Sequence, residues 1–331
     1  MKKQLLLSLV LAGSMVAGVA HAEEQAQQEQ ANTSSVKVTD VQNAEEKKED
    51  IDQEITNARM RSELGSKSQW SFKSSLGYNG GSMEKPFESI RPAYRSGATA
   101  ETLTQLAGNV GVNYRVSKGG NLSFGTGVVI MDPLHGDITK DFQDPRASKK
   151  GIDVKRSQVS NPYVDYSHGY RAMGAQMISS VTYAHYTEED YTSADNGYNQ
   201  LGNLSVSQTV LADFGDSKWQ GGASLTIDKD IAKGAMAVPD ARYDLGVGLF
   251  PFAEYSFNDT YSFRTVFGYF QFAKYEDYTT ADLFQIEPYQ SMGVGISVTR
   301  DIYVYPNVQF TPKDIRADRT NVAVSANINL F

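Results

Sequence analysis

From Trp70 onward the chain alternates apolar and polar residues with a period of two, in one segment after another. Trp70, Phe72, Leu76 and Tyr78 share one parity, as do Leu106, Val110, Val112, Tyr114 and Val116. The same pattern recurs at Leu122 to Ile130, Leu204 to Phe214, Trp219 to Ile227, Tyr243 to Phe257, Met292 to Val298, Ile302 to Phe310 and Val322 to Leu330. Such alternation puts the apolar side chains of a strand on one face and the polar ones on the other. Three weaker segments, 158–166, 172–186 and 261–272, bring the number of predicted strands to twelve. Short turns are expected near 117–121, 167–171, 215–218, 258–260 and 299–301. They alternate with long polar links near 79–102, 131–157, 187–202, 231–241, 273–282 and 311–320. Segregation of short and long connections to opposite ends is a barrel feature that a soluble sandwich has no cause to adopt. The expected fold class is therefore an all-β membrane protein, a twelve-stranded antiparallel transmembrane β-barrel over 69–331, preceded by a short polar helix.

The residues ahead of the first strand divide into three. Met1-Lys2-Lys3, an apolar run from Leu5 and the triplet Ala20-His21-Ala22 predict a cleaved signal peptide over 1–22. Residues 23–39 are polar and poor in apolar groups, as in a disordered segment. Thr39 and Gln42 have capping-box spacing, Ala44, Ile51, Ile55 and Ala58 follow as a thin apolar stripe, and Leu64-Gly65 offers a stop. A helix is expected over 40–64, on the periplasmic side, either solvated or serving as a coiled coil or a barrel plug.

The chain has no cysteine, so disulfides and thiolate metal sites are excluded. Its net charge is -8 without a basic stripe, and nucleic acid is not an expected partner. No segment after the leader is apolar for long enough to cross a bilayer as a helix, so any spanning structure has to be a closed barrel.

The leader, the alternating strands and the terminal Asn327-Ile328-Asn329-Leu330-Phe331 together resemble outer-membrane β-barrel proteins of the porin type. The likeness covers about 69–331. It implies the outer membrane of a Gram-negative bacterium, periplasmic termini, and passive diffusion of small polar solutes or ions. A gated export channel using the N-terminal helix and a non-conducting structural or adhesive barrel are the alternatives. The implied partners are outer-membrane lipid and lipopolysaccharide, the barrel assembly machinery that reads a terminal aromatic such as Phe331, and a second copy meeting through the barrel or residues 40–64. In Phe331 the match is imperfect, because Val322 to Leu330 hold their apolar positions on the opposite parity.

Candidate residues follow from parity. Lys73, Asn113, Arg115, Asp213, Asp228, Arg242, Asp244, Glu254, Arg264 and Glu287 fall opposite the apolar face and are expected to line a lumen, since charges facing lipid are costly. Phe214, Trp219, Tyr255, Phe257, Tyr261 and Phe263 flank short turns and form the expected membrane-interface belt. In the link after Ile130, Asp141 and Asp144 precede Arg146, Lys149 and Lys150, a charge pairing suited to a constriction loop or to a solvated surface. No G-x-S-x-G, H-E-x-x-H or P-loop spacing occurs. Catalysis, a cofactor and a metal are not expected.

Overall fold

The computed structural model describes residues 51–92, 102–143, 153–187, 200–232, 243–275 and 283–331. Among them, twelve strands form one closed antiparallel ring. They are β1 (Trp70–Ser82), β2 (Gln105–Arg115), β3 (Gly120–Met131), β4 (Ser157–Ala172), β5 (Ala175–His185), β6 (Gln200–Asp213), β7 (Trp219–Ala232) and β8 (Tyr243–Ser256). β9 runs in two stretches, Tyr261–Gly268 and Phe270–Tyr275, and β10 (Tyr289–Thr299), β11 (Ile302–Phe310) and β12 (Asn321–Leu330) complete the set. Each strand pairs with its sequence neighbours, and β12 returns to β1 with Phe72 opposite Leu330 and Leu76 opposite Ala326. Full closure removes the sheet edges that lipid could not satisfy.

Parity sorts the two faces as the alternation requires. Phe72, Val112, Phe124, Val164, Val181, Val206, Ile227, Leu249 and Val294 are exposed on the outer wall. Ser71, Lys73, Ser75, Asn113, Ser123, Asp165, Ser224, Ser291 and Asn327 are buried on the inner one. The barrel thus turns its apolar side chains outward, the inverse of a soluble core, and spans a membrane with its strands.

Three local expectations are corrected. The turn placed at 167–171 lies at Met173-Gly174, so that β4 runs longer than 158–166 and β5 starts later and is shorter than 172–186, and His168 and Tyr170 are strand residues. Met173 and Gly174 both have positive φ, 53° and 79°, and make a two-residue hairpin whose Met-Gly pair lacks the usual Asn-Gly signal. The third weak strand, 261–272, extends to Tyr275 but is interrupted at Tyr269, where its register on β8 slips by one residue. Phe250 and Pro251 of β8 face three residues of β9 there, Phe267 to Tyr269, a bulge on β9 beside a proline that has no N–H to give the ladder. A single helix ending at Leu64 is replaced, within the described residues, by α1 (Ile51–Glu54) and α2 (Ala58–Leu64). Asn57 breaks the run because its side chain accepts from the Met60 amide and caps α2. Residues 1–50, and with them the leader, the polar segment and the Thr39-Gln42 box, lie outside the described residues.

Candidate functional site

The inner wall is not empty at the short-turn end: residues 51–66 fill it. Ile51, Ile55, Met60 and Leu64 are almost fully buried, and they pack on Ile178 of β5, Leu211 of β6, Phe252 of β8 and Val266 of β9. Leu211, Gly222, Phe252 and Val266 sit directly across from one another on four successive strands, so the seat is a continuous apolar strip along the wall. Gly222 belongs there because a β-carbon would stand 2.6 Å from Phe252 Cζ. Each such side chain, fully buried, contributes ~1.5–3 kcal/mol. The helix expected to be polar is therefore amphipathic, its apolar stripe buried against the inner wall.

Polar contacts fix the same segment around the whole circumference. The Thr56 amide donates to Gln176 Oε1 of β5 at 3.0 Å, and Asn57 Nδ2 donates to Gln220 Oε1 of β7 at 3.3 Å. Lys118, in the turn between β2 and β3, pairs with Glu54 at 2.5 Å. Asn329 of β12 donates to the Ser62 carbonyl, and the Ser66 hydroxyl donates to the carbonyl of Phe331. Arg300, in the turn between β10 and β11, donates through Nε and Nη2 to both oxygens of Asp52, at 3.0 and 2.7 Å, and through Nη1 to the Gly65 carbonyl at 2.7 Å. Lys67 adds a second cation at 3.0 Å. Burial alone would raise the Asp52 carboxyl, but the hydrogen bonds and charges of Arg300 and Lys67 outweigh it and hold the group below the ordinary carboxylate range.

A second charged pair lies deeper. Arg59 and Glu63 of α2 bind each other one helical turn apart, both buried. Burial raises the Glu63 carboxyl above its ordinary value despite the nearby charges of Arg59 and Lys73. Gly65 ends α2 with φ +91°, a conformation that suits glycine, and a β-carbon there would meet Asn113 Nδ2 at 2.6 Å.

The sequence-derived lumen residues fall at different levels. Lys73 is buried and lies 3.9 Å from Asp165, a residue the parity reading did not select. Asn113 donates to Asn121 Oδ1 at 3.2 Å and accepts from Ser123. Glu254 and Arg264 are buried and directly opposed across β8 and β9. The Arg264 guanidinium lies 4.8 Å from the centre of the Tyr305 ring and 5.6 Å from that of Phe252. Asp228 is opposite Ser205 on the wall. Asp213 is near the short-turn rim, 3.5 Å from Arg171, and Arg115 ends β2 at the same rim, where its carbonyl accepts from Gln69. Asp244 pairs with Lys229, and Glu287 lies just before β10, 3.6 Å from Lys313. Arg242 is outside the described residues.

Of the expected constriction loop, Asp144, Arg146, Lys149 and Lys150 are outside the described residues, and Asp141 is exposed. The described part is knitted instead around Asp132, which accepts from Thr104 and His135, while Arg156 donates to the carbonyls of Asp132 and His135. Ser89 and Asp132 both approach His135 through Nδ1, at 3.2 and 2.7 Å. A proton relay needs the two partners on different ring nitrogens, so this trio ties loops together rather than activating the hydroxyl.

The six belt aromatics cluster on the outer wall at the short-turn end. Trp219 and Tyr255 are paired across strands with ring centres 5.1 Å apart, and Tyr255 meets Phe257 edge-on at 5.3 Å. Phe214, Phe257 and Tyr261 are exposed and Phe263 is half-buried. Phe331 projects beyond β12, 86% exposed. Sequence reasoning missed Ile178, Leu211, Phe252 and Arg300. The first three carried a signal, since each is a large apolar residue on the polar parity of its strand.

No protein-family model matches the chain, and no curated protein matches it. Among solved structures, the chain is similar to an outer membrane channel from Pseudomonas putida F1, with 11% identity over 81% of this chain and 98% of that one, at a TM-score of 0.49. It is also similar to the KdgM porin, with 10% identity over 79% and 98% of the two chains and a TM-score of 0.38. For the NanC porin the figures are 10%, 78%, 100% and 0.39. The fold assignment rests on the strand register above.

Proposed function

We infer that the chain forms a channel for small polar solutes or ions in the outer membrane of a Gram-negative bacterium, and that its own residues 51–66 act as the gate. The observation that carries this reading is the occupied lumen: among the described residues, the hydrophilic inner wall is filled at its short-turn end by residues 51–66 of the same chain. Twelve strands lie between the eight that side chains fill and the ~16 that leave an open channel. A barrel of this size conducts when the segment leaves and is narrow when it stays. The short-turn end, which holds the gate, faces the periplasm in this reading, with the long connections outside.

Among the alternatives, gated export uses the same moving part in the opposite direction, and a purely structural barrel would have no use for an apolar seat inside its lumen. The test is planar-bilayer recording of the full chain and of a chain beginning at Gln69. The shortened chain is expected to hold an open, steady conductance, and the full chain to be closed for most of the record with discrete openings. Silence of both would sink the channel reading; equal steady conductance of both would sink the gate.

A further inference from the structure

Along the barrel the inner wall changes its charge. Counted from the short turns, Lys73 is the fourth residue of β1 and Arg264 the fourth of β9. Both are answered by acids, since Lys73 lies 3.9 Å from Asp165 and Arg264 is directly opposed to Glu254. Farther from the short turns than these two, no inner-wall position of the twelve strands carries Lys or Arg among the described residues, whereas Asp228 and Asp230 of β7 both lie there. The two acids are held differently. Asp230 is buried and accepts from the Tyr186 hydroxyl and from the amides of Gln200 and Asn203. Asp228 is half-buried and accepts from the neutral hydroxyl of Ser205, and its neighbour on β8 is Gly246, which has no side chain to cover it.

Distance keeps the wall cations from offsetting that charge. Asp228 is the tenth residue of β7 counted from its short turn, six positions farther along its strand than Lys73 and Arg264 are along theirs. At ~3.3 Å per residue and a strand tilt of ~40°, six positions are ~15 Å along the barrel axis. Screening in ~0.1 M salt acts over ~10 Å, so neither cation reaches Asp228 through water. What surrounds it on the wall is neutral. The hydroxyls of Ser180 and Ser207 bond each other at 2.8 Å, as do those of Thr209 and Ser224. Such pairs hydrate the wall and cancel no charge.

We propose that Asp228 makes the open lumen select cations over anions, an inference that rests on the channel reading above. A carboxylate facing water in a narrow passage with lipid behind its wall acts across a low dielectric, which focuses its field into the passage, concentrates cations there and depletes anions. The hydroxyls alone would pass neutral and charged solutes without regard to sign. The solute class is therefore the small cation.

The test is the reversal potential of single openings of the full chain in a planar bilayer, under a potassium chloride gradient centred on ~0.1 M. Potassium is expected to permeate at least threefold more readily than chloride, and the preference to shrink as salt approaches ~1 M, where the screening length is ~3 Å. Asp228→Asn is expected to remove at least half of the preference, Asp228→Glu to keep it and Asp228→Lys to reverse it, each with the unboiled barrel still migrating ahead of the boiled one, which shows that it has folded. Asp213→Asn, at the short-turn rim and 3.5 Å from Arg171, is expected to leave it unchanged. Openings of the unaltered protein without a preference for potassium, a preference that Asp228→Asn leaves whole, or an equal loss with Asp213→Asn would each overturn the inference and leave the channel standing. Silence of the unaltered protein and of every variant would bring down the channel reading and this inference with it.

Discussion

Leu64 of the lumen segment lies against the bare backbone of Gly169 in β4, so close that a β-carbon on Gly169 would stand 3.3 Å from Leu64 Cγ and overlap Cδ1. Disulfide partners need Cβ atoms ~3.5–4.5 Å apart, a separation this pair can meet. The double variant Leu64→Cys, Gly169→Cys is expected to close the channel under oxidising conditions and to open it again on reduction. Single-channel recording before and after dithiothreitol checks this. A conductance indifferent to the redox state would show that the segment need not leave for ions to pass.

The clamp on Asp52 sets an acid limit. Because its carboxyl lies below the ordinary value when seated, the seated state gains stability that is fully present above that ordinary value and is lost as pH falls through the depressed one. Glu63 works in the other direction: raised by burial, it favours seating at low pH and disfavours it as pH rises through its raised value. Open probability is therefore expected to be lowest at an intermediate pH. Asp52→Asn should flatten the acid arm and Glu63→Gln the alkaline arm, each measured as open probability across a pH series.

Gly65 offers a separate handle. Its φ of +91° and its proximity to Asn113 Nδ2 mean that Gly65→Val is both strained and blocked, at a cost of ~1–3 kcal/mol. Release of the segment would bring Arg59 and Arg61 within reach of trypsin. Cleavage there is expected to be at least tenfold faster than in the unaltered protein, with the barrel fragment itself resistant.

Ile55 is fully buried in the seat. Ile55→Asp would place an unpaired carboxylate against Leu211 and Phe252, which costs several kcal/mol and exceeds what one polar latch returns. The variant is expected to conduct like the chain that begins at Gln69, while its heat-modifiable migration is unchanged.

These residues also mark how far sequence alone could reach. The ring of strands was legible because an outward apolar face imposes period two, and residues such as Phe72, Val112 and Leu249 obey it. The β4 to β5 turn was not, because Met173 has no turn propensity and adopts positive φ only through the hairpin it closes. The lumen segment was half-legible. Ile51 and Ile55 showed an apolar stripe, but its partner is assembled from Ile178, Leu211 and Phe252 on strands that only closure brings together. Arg300 reads as an ordinary turn cation until Asp52 is seen beside it.

The seam that joins Phe72 to Leu330 finally puts a clock on the molecule. The strands ahead of β12 can pair in succession, yet the wall around residues 51–66 stays open until the last strand arrives. The lumen segment and the seam also share a fastening, since Ser66 donates to the carbonyl of Phe331 and Asn329 to that of Ser62. The apolar seat on β5 to β9 is complete before β12 arrives, but the fastening of Ser62 and Ser66 waits for the last residues, so the two ends of the described chain lock one another.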